Sequence, residues 1–200
     1  RDLGTSFQQT AKILATTKAV TAANKLNNMS QEDTLSIVKG IASEFGSFSD
    51  ATTAATLQAS NLVANFGVGA GTVGKLARNI QSVSGGTLES SLDSAEFFGN
   101  LARAADVPVG DVMNDVANNT ELFAKFGKDG GRNIAEAAIQ AKKLGLELSS
   151  VSAIAEGLLN FEDSITKELE AELLLGRDIN LEKARELAFN NDIAGALAEV

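Results

Sequence analysis

The chain has 200 residues, of which 44% are hydrophobic, and a formal net charge of −9 at pH 7. This size and apolar content suffice for one sizeable core or two small ones, while the negative charge disfavours direct binding to nucleic-acid phosphates. Cysteine, histidine, tryptophan and tyrosine are all absent. Because thiolates, imidazole bases and the usual zinc ligands are missing, we expect no enzymatic activity, no catalytic residue, no metal site and no cofactor.

Apolar residues recur at helical rather than alternating spacing, and the chain contains a single proline, Pro108. We therefore predict an all-α fold, either a multi-helix bundle or an irregular helical array of about ten short helices. No apolar run approaches the ~20 residues that span a bilayer, so membrane insertion is not expected and the protein should be soluble. Because the first residue is Arg1, we expect a piece of a longer chain.

The first predicted helix runs from Thr5 to Leu26 and is mostly alanine and threonine. Ser30 is placed to cap the second helix, which should end at Gly46. Its predicted buried stripe consists of Leu35, Val38, Ile41, Ala42 and Phe45. Ser49 or Asp50 is expected to open the third helix.

A Phe-Gly pair occurs four times, at residues 45–46, 66–67, 98–99 and 126–127. Glycine tolerates the left-handed backbone that ends a helix, and a nearby phenylalanine can bury its ring there. The pairs therefore predict four helix ends with aromatic anchors. Phe-Gly repeats of the nucleoporin type need a disordered, low-complexity setting, which this sequence lacks.

Residues 60–100 align without a gap to residues 120–160, an offset of 60 residues. The glycines that align are Gly67, Gly71 and Gly85 with Gly127, Gly131 and Gly145. The alignment predicts an internal helical duplication of ~60 residues, with two related modules packed side by side. It divides the chain into N-terminal helices (1–59), a first unit with a proline-containing connection (60–119), a second unit (120–160) and acidic C-terminal helices (161–200), forming one or two compact domains.

The C-terminal division begins with FEDSITKELEAELLL at residues 161–175, which predicts a strong helix. Its larger apolar residues are Ile165, Leu169 and Leu173, and its glutamates are expected on the outer face. Gly176 should end this helix. Asn180 and Asp192 are predicted to cap the two short helices that follow.

The segment GAGTVGKL imitates two nucleotide-binding motifs. Gly69, Gly71 and Gly74 fit the dinucleotide pattern GxGxxG, and Gly69, Gly74 and Lys75 fit part of a phosphate loop. A working phosphate loop needs Ser or Thr after the lysine to hold magnesium, but that position is Leu76. No βαβ unit surrounds the segment, as either motif requires.

We therefore interpret GAGTVGKL as an inter-helix loop, with Thr72 capping the next helix. Glu89 lies about 20 residues downstream, where a ribose acceptor would be found in the dinucleotide motif. The aligned GKDGGRN in the second unit keeps its glycines but loses the Gly-Lys pair, which favours a turn over a ligand site.

Carboxylates occur together on two predicted helices, as Asp111 and Asp115 and as the glutamates of residues 162–172. Paired carboxylates can serve acid/base or metal chemistry, but no histidine supports either group, so we interpret them as solvated helix faces. The turn formed by residues 128–131 is likewise interpreted as a solvated connection. The many alanine- and glycine-rich faces predict close helix packing, either in a homo-oligomer, which we expect, or within an ordinary tightly packed bundle.

The C-terminal half, from FAKFGKDGGRNIAEAAIQAKKLGLELSSVSAIAEGLLNFEDSITKELEAELLL to the end at Val200, resembles tail tape-measure and related large virion structural proteins of tailed bacteriophages, particularly marine-type relatives. The preceding LARAADVPVGDVMNDVANN is similar to helix-turn segments of such proteins. The resemblance covers about half of the chain, rests on packing motifs, and transfers no functional residue.

The resemblance implies a non-enzymatic structural role in the virion tail, after assembly in the bacterial host cytoplasm, with partners that include the chain itself and other tail or virion proteins. A length-setting rod needs long continuous helices, whereas glycine divides this segment finely, so a compact helical assembly module is expected instead. The alternative is a nucleotide-binding or host-targeting protein that uses the GAGTVGK loop.

Overall fold

A computed structural model describes residues 7–25 and 29–200, and this part of the chain folds into twelve α-helices without a β-strand. The predicted all-α class is thus confirmed. The helices are α1 (Phe7–Ala23), α2 (Gln31–Phe45), α3 (Thr53–Phe66), α4 (Ala70–Ser84), α5 (Leu88–Ala104), α6 (Val109–Asn118), α7 (Thr120–Phe126), α8 (Arg132–Lys143), α9 (Leu148–Leu159), α10 (Phe161–Leu175), α11 (Glu182–Phe189) and α12 (Ile193–Ala198).

Helices α2 and α3 match the sequence prediction at both glycine ends, Gly46 and Gly67, and at one of the two N-terminal caps. Thr5 and Leu26, the predicted limits of the first helix, lie outside the described residues. Ser30 forms a complete capping box with Asp33 at the start of α2. The third helix is capped by Thr52, whose hydroxyl accepts from the backbone N–H of Ala55, so the prediction of Ser49 or Asp50 was wrong.

The buried stripe of α2 is shifted by part of a turn from the predicted one. Ile37, Val38, Ile41 and Ala42 are buried together with Thr34, whereas the predicted Leu35 and Phe45 are only partly buried. Ile37 was not predicted, because a stripe read from spacing alone does not fix the direction of the neighbouring helices.

One apolar core extends through most of the chain. It contains buried side chains from α2 to α9 and from α12, and it crosses the boundaries proposed at residues 59/60 and 119/120. A small second cluster is formed by Leu158, Ala184, Ala188 and Ala196, where α11 and α12 pack against α9. The first three sequence divisions share this continuous core, and α12 of the fourth division also contributes to it.

The Phe-Gly pairs are helix ends in three of four cases. Gly46 and Gly67 have φ values of 79° and 68° and end α2 and α3 in the left-handed conformation. Gly127 follows the end of α7 with a φ of −85°. Gly99 instead lies inside α5, and a Cβ there would be 2.7 Å from the ring of Phe66, so this glycine makes room for that ring.

The two aligned segments have the same order of helices. Helices α5 and α9 begin at equivalent positions, and both are preceded by a left-handed glycine, Gly85 or Gly145, with φ of 66° and 70°. The packing is not repeated to the same extent, because α3 lies along α5, whereas α7 has far fewer contacts with α9, to which the ion pair of Lys125 with Glu156 joins it at 2.6 Å. The two segments therefore share the order and start of their helices rather than their tertiary contacts, and the duplication stays a prediction.

An asparagine side chain connects α8 to the C-terminal helices. The buried Asn133 accepts a hydrogen bond from the backbone N–H of Ala194 at 3.1 Å and donates one to the backbone carbonyl of Asn191. Asn191 itself has a φ of 63°, a left-handed value that asparagine tolerates better than most residues. These hydrogen bonds hold α12 against α8. Asp192 caps α12 as predicted, because its side chain accepts a hydrogen bond from the N–H of Gly195.

Candidate functional site

The segment that imitates nucleotide-binding motifs is helical, not a loop. Helix α4 begins at Ala70 with Gly69 as its N-terminal cap, so the prediction that Thr72 caps the helix was wrong. The hydroxyl of Thr72 donates instead to Oδ1 of Asn114 on α6 at 2.7 Å. The N–H of Val73 is already bonded to the carbonyl of Gly69, and it therefore does not point into a phosphate cradle.

Gly74 allows helices α2 and α4 to cross at close distance. A Cβ on Gly74 would lie 2.7 Å from the carbonyl oxygen of Gly40 on α2, and a Cβ on Gly40 would lie 2.8 Å from the carbonyl oxygen of Ala70. The two glycines therefore allow the backbones of α2 and α4 to touch, and this is the most extensive helix–helix contact among the described helices. Gly71, by contrast, has open space around it.

The other residues of the motif have structural partners. Lys75 is exposed and its Nζ lies 3.3 Å from Oδ1 of Asn118 on α6. Leu76 is fully buried in the core at the position where a phosphate loop carries its hydroxyl residue. Glu89, the candidate ribose acceptor, accepts a hydrogen bond from the hydroxyl of Thr52 at 3.2 Å. Gly71, Gly74 and Lys75 thus lie on α4 and Gly69 is its N-terminal cap, and of the three glycines Gly74 makes the close helix contact.

The charged turn between α7 and α8 is an ordered cap rather than a merely solvated connection. Asp129 accepts hydrogen bonds from the backbone N–H groups of Gly131 and Asn133, at 3.1 and 2.8 Å. Gly131 has a φ of 88°, and a Cβ there would lie 2.3 Å from the ring of Phe123. Both conditions require glycine, because a side chain would be strained by the backbone and would collide with the ring.

The predicted carboxylate groups do not form a metal site. Within residues 7–25 and 29–200, no cluster of three or more possible ligands has the geometry to hold a metal ion. Asp115 instead pairs with Lys142 of α8 at 2.8 Å, and this hydrogen bond raises the pKa of Lys142. The carboxylate therefore joins α6 to α8.

Helix α10 has the predicted bounds, but its larger apolar residues face the solvent instead of the protein. The sequence predicts glutamates on its outer face, yet Glu168 and Glu172 face the protein while Ile165, Leu169 and Leu173 are exposed. Leu169 is 56% exposed and Leu173 is 87% exposed. The only buried residue of the helix is Ser164.

The loop after α10 explains this orientation. Residues 176–181 present backbone N–H groups that need acceptors, and two glutamates of α10 provide them. Glu168 accepts from the N–H of Leu181 at 2.9 Å, and Glu172 accepts from the N–H of Ile179 at 3.0 Å. Glu168 also pairs with Arg185 of α11, and both of these side chains are only 11% exposed.

The environment of Glu168 favours its charged form. The N–H of Leu181, opposed by partial burial and assisted by the guanidinium of Arg185, lowers the pKa of Glu168 below its ordinary value. The ion pair therefore persists at neutral pH and holds α11 against α10. Glu168 and Glu172 are thus used internally, and the apolar residues Ile165, Leu169 and Leu173 remain exposed in the described part of the chain.

Four of the six exposed apolar residues of α10 lie along one side of the helix. Phe161, Ile165, Leu169 and Leu173 recur every four residues and lie on one side of the helix; we call them the α10 stripe. Phe189 of α11 extends the stripe, since its ring centroid is 6.3 Å from that of Phe161. Contiguous exposed apolar surface of this kind marks interaction sites in folded proteins.

Sequence reasoning missed the stripe although its signal was present. Apolar residues at every fourth position show that α10 is amphipathic, but they do not show which side meets the protein. The contacts that decide the orientation lie in the next segment, where the backbone N–H groups of Ile179 and Leu181 donate to Glu172 and Glu168. Helix α10 therefore faces the core with its polar side.

Comparisons of the chain with protein-family models, with curated proteins and with solved structures found no match. No helix in the described residues combines the length and apolar character that crossing a lipid bilayer requires. Function must therefore be argued from the surface that the fold presents.

Proposed function

We propose that this chain is a non-enzymatic helical assembly module of a virion structural protein, similar to the tape-measure proteins of phage tails. It acts by packing its helices against copies of itself and against other tail proteins. The observation that carries the proposal is the α10 stripe, because an apolar helix face that the fold leaves open is suited to bind another helix.

The helix lengths favour a compact module over a length-setting rod. The longest described helices, α1 and α5, have 17 residues, which corresponds to about 25 Å each. A ruler needs one helix, or helices joined end to end, over much greater distances. The left-handed glycines that end α2, α3, α4 and α10 make this chain turn instead.

The phage assignment is tested by reading the complete gene and its neighbours. We expect a longer reading frame placed among genes for tail or baseplate proteins. A short, complete gene remote from any virion gene would remove the support for the phage role, while leaving the packing role of α10 to its own tests.

The competing proposal, a nucleotide-binding or host-targeting protein, depends on GAGTVGK. Isothermal titration calorimetry with ATP, GTP and NAD separates the two, using the wild type and Lys75→Ala. We expect no binding to either form, because Leu76 is buried and Gly74 contacts α2. Binding to the wild type that Lys75→Ala abolishes would support the competing proposal and contradict ours.

A further inference from the structure

A second surface of the chain complements the α10 stripe. On α1, Phe7, Leu14 and Lys18 are all exposed, and Phe7 is 89% exposed. At 100° per residue these three side chains lie within about 40° of one another around the helix. The opposite side of α1 packs against α2 and α3 through the buried Thr16, Thr17 and Val20. We call the exposed side the α1 face.

The two surfaces have opposite charge. Helix α1 contains two lysines and no acidic residue, a net charge of +2. On α10 the exposed charged residues are Glu162, Asp163, Glu170 and Lys167, a net charge of −2, whereas Glu168 and Glu172 face the protein. Two copies of α10 would therefore repel each other, whereas α1 and α10 attract.

The spacing of residues also matches. Phe7 and Lys18 are 11 residues apart on α1, and Glu162 and Leu173 are 11 residues apart on α10. In an antiparallel pair, Phe7 would lie on Leu173 and Lys18 beside Glu162, with Leu14 near Ile165. A parallel pair that aligns Phe7 with Phe161 would place Lys18 opposite Glu172, which already accepts a hydrogen bond from the N–H of Ile179. The antiparallel arrangement, in which Lys18 meets the exposed Glu162, is therefore favoured.

We propose that the α1 face of one copy of this chain docks antiparallel on the α10 stripe of a second copy. The proposal rests on the assembly function proposed above and names the partner of its surface. Because each copy carries both surfaces, and they differ, the association is head to tail and can continue from copy to copy. The contact of one helix with one helix is small, so we expect a dissociation constant on the order of micromolar or weaker.

The test mixes two variants of the full 200-residue chain. The α1 variant carries Phe7→Gln and Leu14→Gln, and the α10 variant carries Ile165→Gln and Leu169→Gln. All four side chains are exposed and glutamine is a good helix former, so both variants should fold, which circular dichroism checks. Sedimentation velocity then measures association from low micromolar to near-millimolar concentration.

We expect the wild type to form species that grow with concentration and each variant alone to associate at least about tenfold more weakly. The mixture of the two variants should form a 1:1 complex and stop there. The intact α10 stripe of the α1 variant can bind the intact α1 face of the α10 variant, and no further surface remains. Only a head-to-tail contact gives this pattern.

Two results would overturn the proposal in different ways. If the α1 variant associates as the wild type does while the α10 variant does not, the stripe pairs with itself or with another surface; the proposed assembly function then stands and the α1 partner is wrong. If the wild type is monomeric at every concentration, self-docking is wrong, and the gene neighbourhood alone decides the phage role.

A charge exchange tests the antiparallel register. Glu162→Lys should weaken association, and Lys18→Glu added in the same chain should restore it, because the opposed pair is formed again with its signs reversed. Lys12→Glu is the matched control: Lys12 is exposed on the same helix but lies about 160° from Leu14. Equal rescue by Lys12→Glu would contradict the register.

Discussion

Replacing Gly74 by alanine tests the interpretation of GAGTVGK as a helix-packing segment. The new Cβ would lie 2.7 Å from the carbonyl oxygen of Gly40, 3.0 Å from its carbonyl carbon and 3.2 Å from Cγ of Glu44. An ordinary contact requires α2 and α4 to separate by about 0.5–0.7 Å. The obstacle is backbone, so no change of rotamer can relieve it.

The magnitude follows from two opposed effects. Overpacking of this kind costs about 1–3 kcal/mol. Alanine recovers up to about 1 kcal/mol because glycine is a poor helix former. We therefore expect Gly74→Ala to lower the free energy of unfolding by about 1–2 kcal/mol and the melting temperature by about 2–8 °C.

Urea unfolding followed by circular dichroism at the helical band measures the change. Gly71→Ala is the matched control on the same helix, since nothing lies within 4 Å of its added Cβ, and Gly157→Ala is a second control on α9. Both should be neutral or stabilising by up to about 1 kcal/mol. If Gly74→Ala is as stable as Gly71→Ala, the close crossing of α2 and α4 is wrong.

Three further substitutions test other parts of the fold. Asn133→Ala should destabilise the chain by about 1–3 kcal/mol in urea unfolding, because it leaves two backbone groups of the α11–α12 region unpaired; an unchanged midpoint would contradict the bridge. Glu168→Gln should destabilise by about 1–3 kcal/mol at pH 7. Since the folded-state pKa of Glu168 is lowered, this contribution is present above the ordinary pKa of 4.5 and is lost as the pH falls through the folded value. The difference from wild type should therefore shrink as the pH is lowered below 4.5, and a difference that does not shrink refutes this role of the carboxylate. Gly131→Ala should destabilise more than Gly130→Ala, because both have positive φ but only the first would collide with Phe123; equal thermal melts would exclude the collision.

Features decided within one helical turn could be predicted from the sequence. The cap at Ser30 and the glycine ends at Gly46, Gly67 and Gly176 depend on neighbours within a few residues, and each is present. The all-α class follows from the same local patterns repeated along the chain. These predictions need no knowledge of how helices pack.

Features decided by contacts between distant helices could not be predicted. Gly99 resembles a helix end, yet it accommodates the ring of Phe66 from α3. Gly74 resembles part of a phosphate loop, yet its role depends on Gly40, which is 34 residues earlier in the chain. The stripe on α10 is exposed because loop N–H groups at Ile179 and Leu181 take the opposite side.

Sedimentation velocity of the α10 variant is the most direct measurement of whether the α10 stripe mediates assembly. Leu174→Gln provides the matched control, because Leu174 is 86% exposed but lies about 100° further round the helix than Leu173. We expect association in the wild type and in Leu174→Gln, and loss of association in the α10 variant carrying Ile165→Gln and Leu169→Gln. Identical sedimentation of all three proteins over the full concentration range would contradict the role of the stripe.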